Sequence, residues 1–358
     1  MKKIKIFALP SHQTEERTSG VDFARIIQPM KHLHGYKDDE TEIEVTQFDI
    51  SKKTDWVDLA KTHDIFYLNY IANPWGFAAM GAMARKHGVK IILDLDDSLW
   101  DIRKDNPAYS VYHKGSKALS DFNAICNEVD FMTVTNSYLK NVVINNTGKR
   151  AEFIKVFPNY VDLELYKHRS EFKNNERIKL LHYGSTTHFD DLSNQEFITG
   201  VDKIMKEYPN VSIKFVGAFL PKLKDMWGMR CETGYGDSDI YKWINDHFPK
   251  FMDEADILVA PLEDNIYTRS KSNIKYLETS SACIPGIYQS IRQYQEVING
   301  SNGLLAKSAQ DWYFHLKTLI DNPEKRKKMG ENAFETIKKD WQIQNNIHKY
   351  AEFFKSIV

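Results

Sequence analysis

The chain has 358 residues, of which 42% are hydrophobic, 13% aromatic and 27% charged, a length and balance that suit two globular domains of a soluble protein. Its 48 basic and 49 acidic side chains leave a formal net charge of −1, which argues against a dedicated nucleic-acid binder, because such proteins carry a basic excess. The three cysteines, Cys126, Cys231 and Cys283, are far apart and lack metal-ligand spacing, which excludes a cysteine-based metal site and points to free thiols in a reducing, cytoplasmic compartment.

The opening MKKIKIFALP is basic, but Lys5 interrupts its apolar stretch and Pro10 ends it. That is too short for the apolar part of a signal peptide and predicts a first strand over Ile4–Leu9. Gly20–Leu33 predicts a helix, with Phe23, Ile26, Ile27, Met30 and Leu33 on one stripe and Pro29 placed to kink it. Strands follow at Glu42–Phe48, Asp64–Tyr70 and Lys90–Leu95, with a helix around Gly76–His87. Another strand at Phe131–Val134 leads into a helix from Ser137. Strands alternating with helices imply parallel pairing in a doubly wound sheet.

The stretch Val156–Ile178 is polar, charged and turn-rich, and reads as a linker. The pattern then restarts, with strands at Lys179–Tyr183 and Val211–Val216, a glycine-rich loop over Trp227–Asp239, a helix near Tyr241 and a buried strand at Ile257–Ala260. Two helices are expected in Asp321–Val358, the first entered through Asp321-Asn322-Pro323. The chain therefore divides into a Rossmann-like domain at 1–155, a linker at 156–178, a second Rossmann-like domain at 179–338 and a final helix at 339–358. No run approaches the roughly 18 apolar residues of a membrane helix. In such folds the ligand lies outside the carboxyl ends of the strands, in the cleft between the domains.

The most informative stretch is Thr268–Gly303. A single helix there would carry Lys271, Lys275 and Glu278 at i, i+4 and i+7, within about 60° of one another. Backbone N–H groups and the dipole at a helix start favour an anion such as a diphosphate, and a carboxylate two turns on can accept hydrogen bonds from sugar hydroxyls. That chemistry suits a nucleotide-sugar. Ile284-Pro285-Gly286-Ile287 would form the next strand.

An ordered set of motifs carries a family resemblance. These are Val156-Phe157-Pro158-Asn159-Tyr160-Val161-Asp162, the strands LLHYGS and IKFVG, the run ADILVAPL, KSNIKYLE and IPGIYQS, the turn Asn299–Leu305, and Asn322–Ala333. In this order they resemble the retaining glycosyltransferases of the GT-B fold that use nucleotide-sugars, the family-4-like group. The resemblance is strong over about residues 153–340 and general before 150. It implies two Rossmann-like domains facing a cleft, the first on the acceptor side and the second binding the nucleotide-sugar, a final helix packing back on the first domain, no metal and no resident cofactor. A nucleoside-diphosphate sugar would be the co-substrate, and a carbohydrate or other hydroxyl compound the acceptor. The family's paired glutamates, eight positions apart, fall on Ser270 and Glu278, so the ribose-binding one is present and the sugar-side one is a serine. The basic pair that many members carry after the first donor-domain strand is also missing. Gly184-Ser185-Thr186-Thr187-His188 stands there instead.

Lys271, Arg269 and Asp96 are the expected catalytic residues. Donor contacts are assigned to Gly20, Gly184, His188, Ser270, Ser272, Lys275 and Glu278, with Tyr235 placed to stack on the base. Asp97, Arg25 and His113 are expected on the acceptor side. Asp94-Leu95-Asp96-Asp97 contains an Asp-x-Asp tripeptide, but the two-domain pattern argues against a metal there. The basic run Lys325-Arg326-Lys327-Lys328 reads as a solvated helix face, with contact to an acidic polymer or anionic lipid surface as the functional alternative. A nucleic-acid acceptor stays open. The rival classes are a silent subunit that binds nucleotide-sugar or glycan, which Ser270 favours, and a nucleotide-sugar epimerase.

Overall fold

The computed structural model describes residues 1–358 except His12, 71–73, Asp105, 167–171, Lys173 and 186–187. Part of the proposed linker, and Thr186 and Thr187 at the position of the missing basic pair, lie outside the described residues.

Among the described residues, alternating apolar segments build twelve strands. They are β1 Lys2–Leu9, β2 Thr41–Gln47, β3 Ile65–Asn69, β4 Lys90–Leu95, β5 Phe131–Val134, β6 Ile154–Val156, β7 Ile178–Gly184, β8 Val211–Gly217, β9 Cys231–Gly234, β10 Ile257–Ala260, β11 Gly286–Gln289 and β12 Leu304–Ala306. They form two six-stranded sheets, ordered β2-β1-β3-β4-β5-β6 and β12-β11-β10-β7-β8-β9, in which every strand pair is parallel. Helices on both faces explain why the central strands are continuous apolar runs. Ile65, Phe66, Tyr67 and Leu68 are all buried, as are Ile257, Leu258, Val259 and Ala260.

Three strands fall outside the sequence expectations. Residues 154–156 and 304–306 are too short to show a period, and Cys231–Gly234 was taken for loop because Gly228, Gly234 and Gly236 surround it. It pairs with β8 as an edge strand. The strand expected at Ile284–Ile287 starts two residues later, at Gly286.

The first helix runs over Gly20–Leu33, with a π-turn at Phe23–Ile27 just ahead of Pro29. Proline has no N–H and crowds the preceding turn, and the wider turn accommodates it without breaking the helix. The same solution recurs at Trp243–His247, just ahead of Pro249.

The chain passes between the domains twice, and the two passages touch. Val161 N–H donates to Trp341 O and Ile343 N–H donates to Val161 O, at 3.0 and 2.9 Å. The last helix, Ile343–Ile357, buries Tyr350, Ala351 and Phe354 against Ile4, Ile6, Ile26 and Met30 of the first domain. Tyr350 stacks on Phe157 at 4.2 Å. Conversely, Phe23 of the first domain packs with Ile240 and Trp243 of the second. The basic run at 325–328 is not uniformly solvated. Arg326 is buried, and its guanidinium donates to Leu319 O at 2.6 Å, tying two helices together.

Candidate functional site: two joined cavities at the strand ends

The carboxyl ends of β4, β5, β7, β8 and β10 face one another across the domain junction, and two adjoining cavities lie there. The larger, about 600 Å³, is lined by Arg17, Gly20, Tyr183, Gly184, Ser185, Gly217, Asp237, Ser238, Trp243 and Glu278, among others. The smaller, about 270 Å³, is lined by Asp96, Asp97, Ser185, His188, Tyr267, Lys271, Ser272, Lys275 and Tyr294, among others. Ser185 belongs to both.

Glycines keep the floor open. Gly184 and Gly217 are register partners at the ends of β7 and β8. Gly217 has φ +85°, and a Cβ there would lie 2.2 Å from Gly184 O. A Cβ on Gly184 would lie 2.7 Å from the His188 ring, so neither position tolerates a side chain without displacing the turn.

The predicted single helix over Lys271–Glu278 is in fact two. Asn265 caps a five-residue helix, Ile266–Ser270, through a reciprocal bond pair with Thr268. Lys271 is extended, with ψ 158°, and a second helix runs over Ile274–Ser281. The break is held from the other domain, where Asn136 Nδ2 donates to Ser270 O and Lys271 O, each at 3.0 Å. Lys271 therefore enters the small cavity from the junction and Lys275 from the second helix, while Glu278 faces the large one. The residues share a site but not a helix face.

Lys271 Nζ lies 3.0 Å from Asp97 Oδ2 and 4.5 Å from the Tyr267 ring centroid. Burial opposes its charge, but Asp97 and Tyr267 outweigh burial and raise its pKa. Among the described residues, Lys275 has no carboxylate contact of this kind. Its ammonium donates to His188 Nε2 at 3.1 Å, and His188 Nδ1–H donates to Asp191 Oδ2 at 2.6 Å. Asp191 thus selects the imidazole tautomer that accepts from Lys275. Burial and the nearby Lys271 bring Lys275 down to about 8, and burial with Lys275 pushes His188 well below its ordinary value.

Asp96 is raised to about 7 by burial and by repulsion from Asp97. The Tyr70 hydroxyl donates to Asp96 Oδ1 at 2.8 Å and accepts the Asp97 N–H at 2.6 Å, from a backbone held at φ +41°. Glu278 accepts from Tyr166 and Tyr183 hydroxyls at 3.0 and 2.8 Å. Burial nevertheless raises its pKa.

Of the residues anticipated from the sequence, Gly20, Gly184, Glu278, His188, Ser272, Lys271, Lys275, Asp96 and Asp97 line these cavities. The others do not. Arg269 points outward in a two-bond pair with Asp264, at 2.5 and 2.9 Å. Ser270 is buried with its hydroxyl on Ile266 O at 2.8 Å. Tyr235 is 87% exposed, one residue beyond the edge strand Cys231–Gly234. His113 is exposed, its ring beside Tyr109. Arg25 is buried behind the site, paired with Asp94 at 2.8 Å. Its other N–H groups reach Phe157 O and Asn159 Oδ1, and Asn159 Nδ2 donates to Ser272 Oγ, so Arg25 braces the site from within.

Sequence reading missed Tyr70, Asn136, Tyr166, Asp191 and Trp243. Tyr70, Asn136 and Tyr166 lie far in sequence from the groups they hold, Trp243 lines the large cavity, and only Asp191 had a local signal, at i+3 from His188.

No protein-family model and no curated protein matches this chain in sequence. Solved structures do match in shape. The Anabaena protein Alr3699/HepE, in complex with UDP and glucose, superposes with TM-score 0.67 at 14% identity, covering 99% of this chain and 100% of that one. A glycosyltransferase from Rickettsia africae gives TM-score 0.62 at 13% identity, covering 100% and 99%. The sucrose-phosphate synthase of Thermosynechococcus elongatus gives 0.59 at 14%, also covering 100% and 99%. At these identities the likeness is one of fold, and with two parallel sheets facing a cleft this chain has the GT-B fold.

Proposed function

We propose that the protein transfers a sugar from a nucleoside-diphosphate sugar to a hydroxyl of an acceptor, without a metal and with retention of anomeric configuration. The observation that carries this reading is the pair of joined cavities, one presenting two lysines and the other a tyrosine-held carboxylate. The nucleoside would occupy the larger cavity with its ribose at Glu278, the diphosphate would cross Ser185 between Gly184 and Gly217, and the sugar would enter the smaller cavity.

Lys271 and Lys275 then stabilise negative charge as it grows on the departing diphosphate. Lys271 exchanges part of its contact with Asp97 for the ligand, while Lys275 is aimed by His188 and Asp191. The acceptor oxygen bonds to the anomeric carbon and the bond from that carbon to the phosphate oxygen breaks. The nucleoside diphosphate leaves with the electron pair, and the acceptor proton passes to the departing phosphate oxygen. Tyr70 engages Asp96 and Lys271 engages Asp97, which favours this route over one with a protein base. Burial between the domains excludes water that would hydrolyse the donor.

The test is release of nucleoside diphosphate from a donor panel that begins with UDP-glucose, the ligand type held by the Anabaena protein, repeated with chelator. Product anomers read by NMR decide between retention and inversion. Tight donor binding with no turnover would instead support a silent binding subunit, the reading that Ser270 favours, since it brings no charge and its hydroxyl is turned onto its own helix.

A further inference from the structure

A third depression opens on the far side of Tyr267. It measures about 520 Å³ and lies between Asp101–Arg103 of the first domain and, in the second, Glu263, Asn265 and the first two residues of the helix Ile266–Ser270. Tyr267 lines both this crevice and the small cavity, so the two adjoin at that residue. Its hydroxyl sits 3.2 Å from Asn106 Nδ2 and 3.5 Å from Asp97 Oδ2. A molecule in the crevice is therefore one side chain away from the aspartates and Lys271.

The charges lining this crevice differ from those lining the small cavity. Its cation, Arg103, lies 2.5 Å from Asp190 and 2.9 Å from Glu263, so its charge is already met by two carboxylates. Asp101 adds another carboxylate to the wall. A polyanion entering here would meet an acidic excess at close range. Ile266, 45% exposed, lies beside the Tyr267 ring, and the two offer an apolar and aromatic surface among polar groups, the make-up of a site for a ligand that is neither charged nor wholly apolar.

We infer that this crevice is the acceptor subsite and that the acceptor is an uncharged carbohydrate. The inference rests on the glycosyl-transfer reading above. It sets aside the acidic polymer and the anionic lipid surface as the molecules presented to the site.

Release of nucleoside diphosphate is measured with neutral oligosaccharides and with size-matched uronic-acid oligosaccharides as acceptors. Neutral ones stimulate release and uronates do not. Ile266→Trp fills the crevice and raises the KM for neutral oligosaccharides about tenfold, while the Kd for nucleoside diphosphate, measured by calorimetry, stays within about twofold. Glu263→Gln removes one carboxylate from Arg103 and raises turnover with uronates relative to neutral oligosaccharides. Stimulation by uronates alone, stimulation by no oligosaccharide, or an unchanged KM in Ile266→Trp overturns the subsite. A protein that neither binds nucleoside diphosphates nor consumes any nucleotide-sugar fails at the earlier step, and it is then the glycosyl-transfer reading that is wrong.

Discussion

Two ion pairs leave the same strand end and serve opposite purposes. Asp94 and Asp97 are three residues apart, and each meets a cation from another element. Arg25 and Asp94 are fully buried and joined by two bonds at 2.9 and 2.8 Å. Asp94 also accepts from Tyr67 and Thr133, and Arg25 goes on to the carbonyl of Phe157. Lys271 and Asp97 share one contact at 3.0 Å, with side chains 13% and 25% exposed to a cavity. A buried pair held by several hydrogen bonds on each partner is rigid, and breaking it leaves an uncompensated charge. A single contact beside an opening can exchange for a ligand. The first pair joins β4, the first helix and the domain crossing, and the second waits at the site.

That contrast can be broken or sharpened by substitution. Arg25→Met strands the Asp94 carboxylate and should lower stability by about 3–5 kcal/mol in urea unfolding. A change near zero would mean that the pair is no brace. Lys271→Ala should instead leave the unfolding midpoint nearly in place and lower kcat/KM about 10²–10³-fold, and equal losses of stability and activity would erase the distinction.

The Lys275 ammonium titrates near 8, below the ordinary lysine value. It is charged below that pH and neutral above it. Donor affinity should therefore be level below about pH 8 and fall as pH rises through it, and Lys275→Met should flatten the profile. A wild-type profile that stays flat to pH 10 contradicts the assignment.

Asp96 is raised to about 7, so folding favours its protonated form. The cost of ionising it is absent below the unfolded value near 4 and complete above about 7. Asp96→Asn should raise stability at pH 8 by up to about 4 kcal/mol and change it little at pH 4. The smallest effect belongs to Arg269→Ala, which loses an exposed pair worth about 0.5 kcal/mol or less and should keep activity within about twofold. A large loss of activity would return Arg269 to the site.

Much of the site could be read from the chain because it follows strand ends. Gly184 ends β7, and Asp96 and Asp97 follow the end of β4, so an alternating parallel pattern places them at the cleft before any coordinates exist. Lys271, Lys275 and Glu278 line the two adjoining cavities, although the single helix expected to align them is two. That break is made by Asn136, from 134 residues away, and nothing in the local spacing announces it. Arg269 and Ser270 were drawn in by adjacency to Lys271. The turn of the short helix sends one side chain to solvent and the other onto the carbonyl of Ile266. Arg25 had the right charge in the right helix, but its partner across the sheet was closer than any ligand.

Sequence by itself determined the two parallel sheets and the strand ends that carry the site, because apolar runs alternating with helices have few other ways to pair. Only tertiary structure decided which charges are spent and which are available. Whether a lysine or arginine meets a carboxylate, a tyrosine or an open cavity depends on elements as many as 174 residues away, and the cost of burying a charge makes that meeting decide its role.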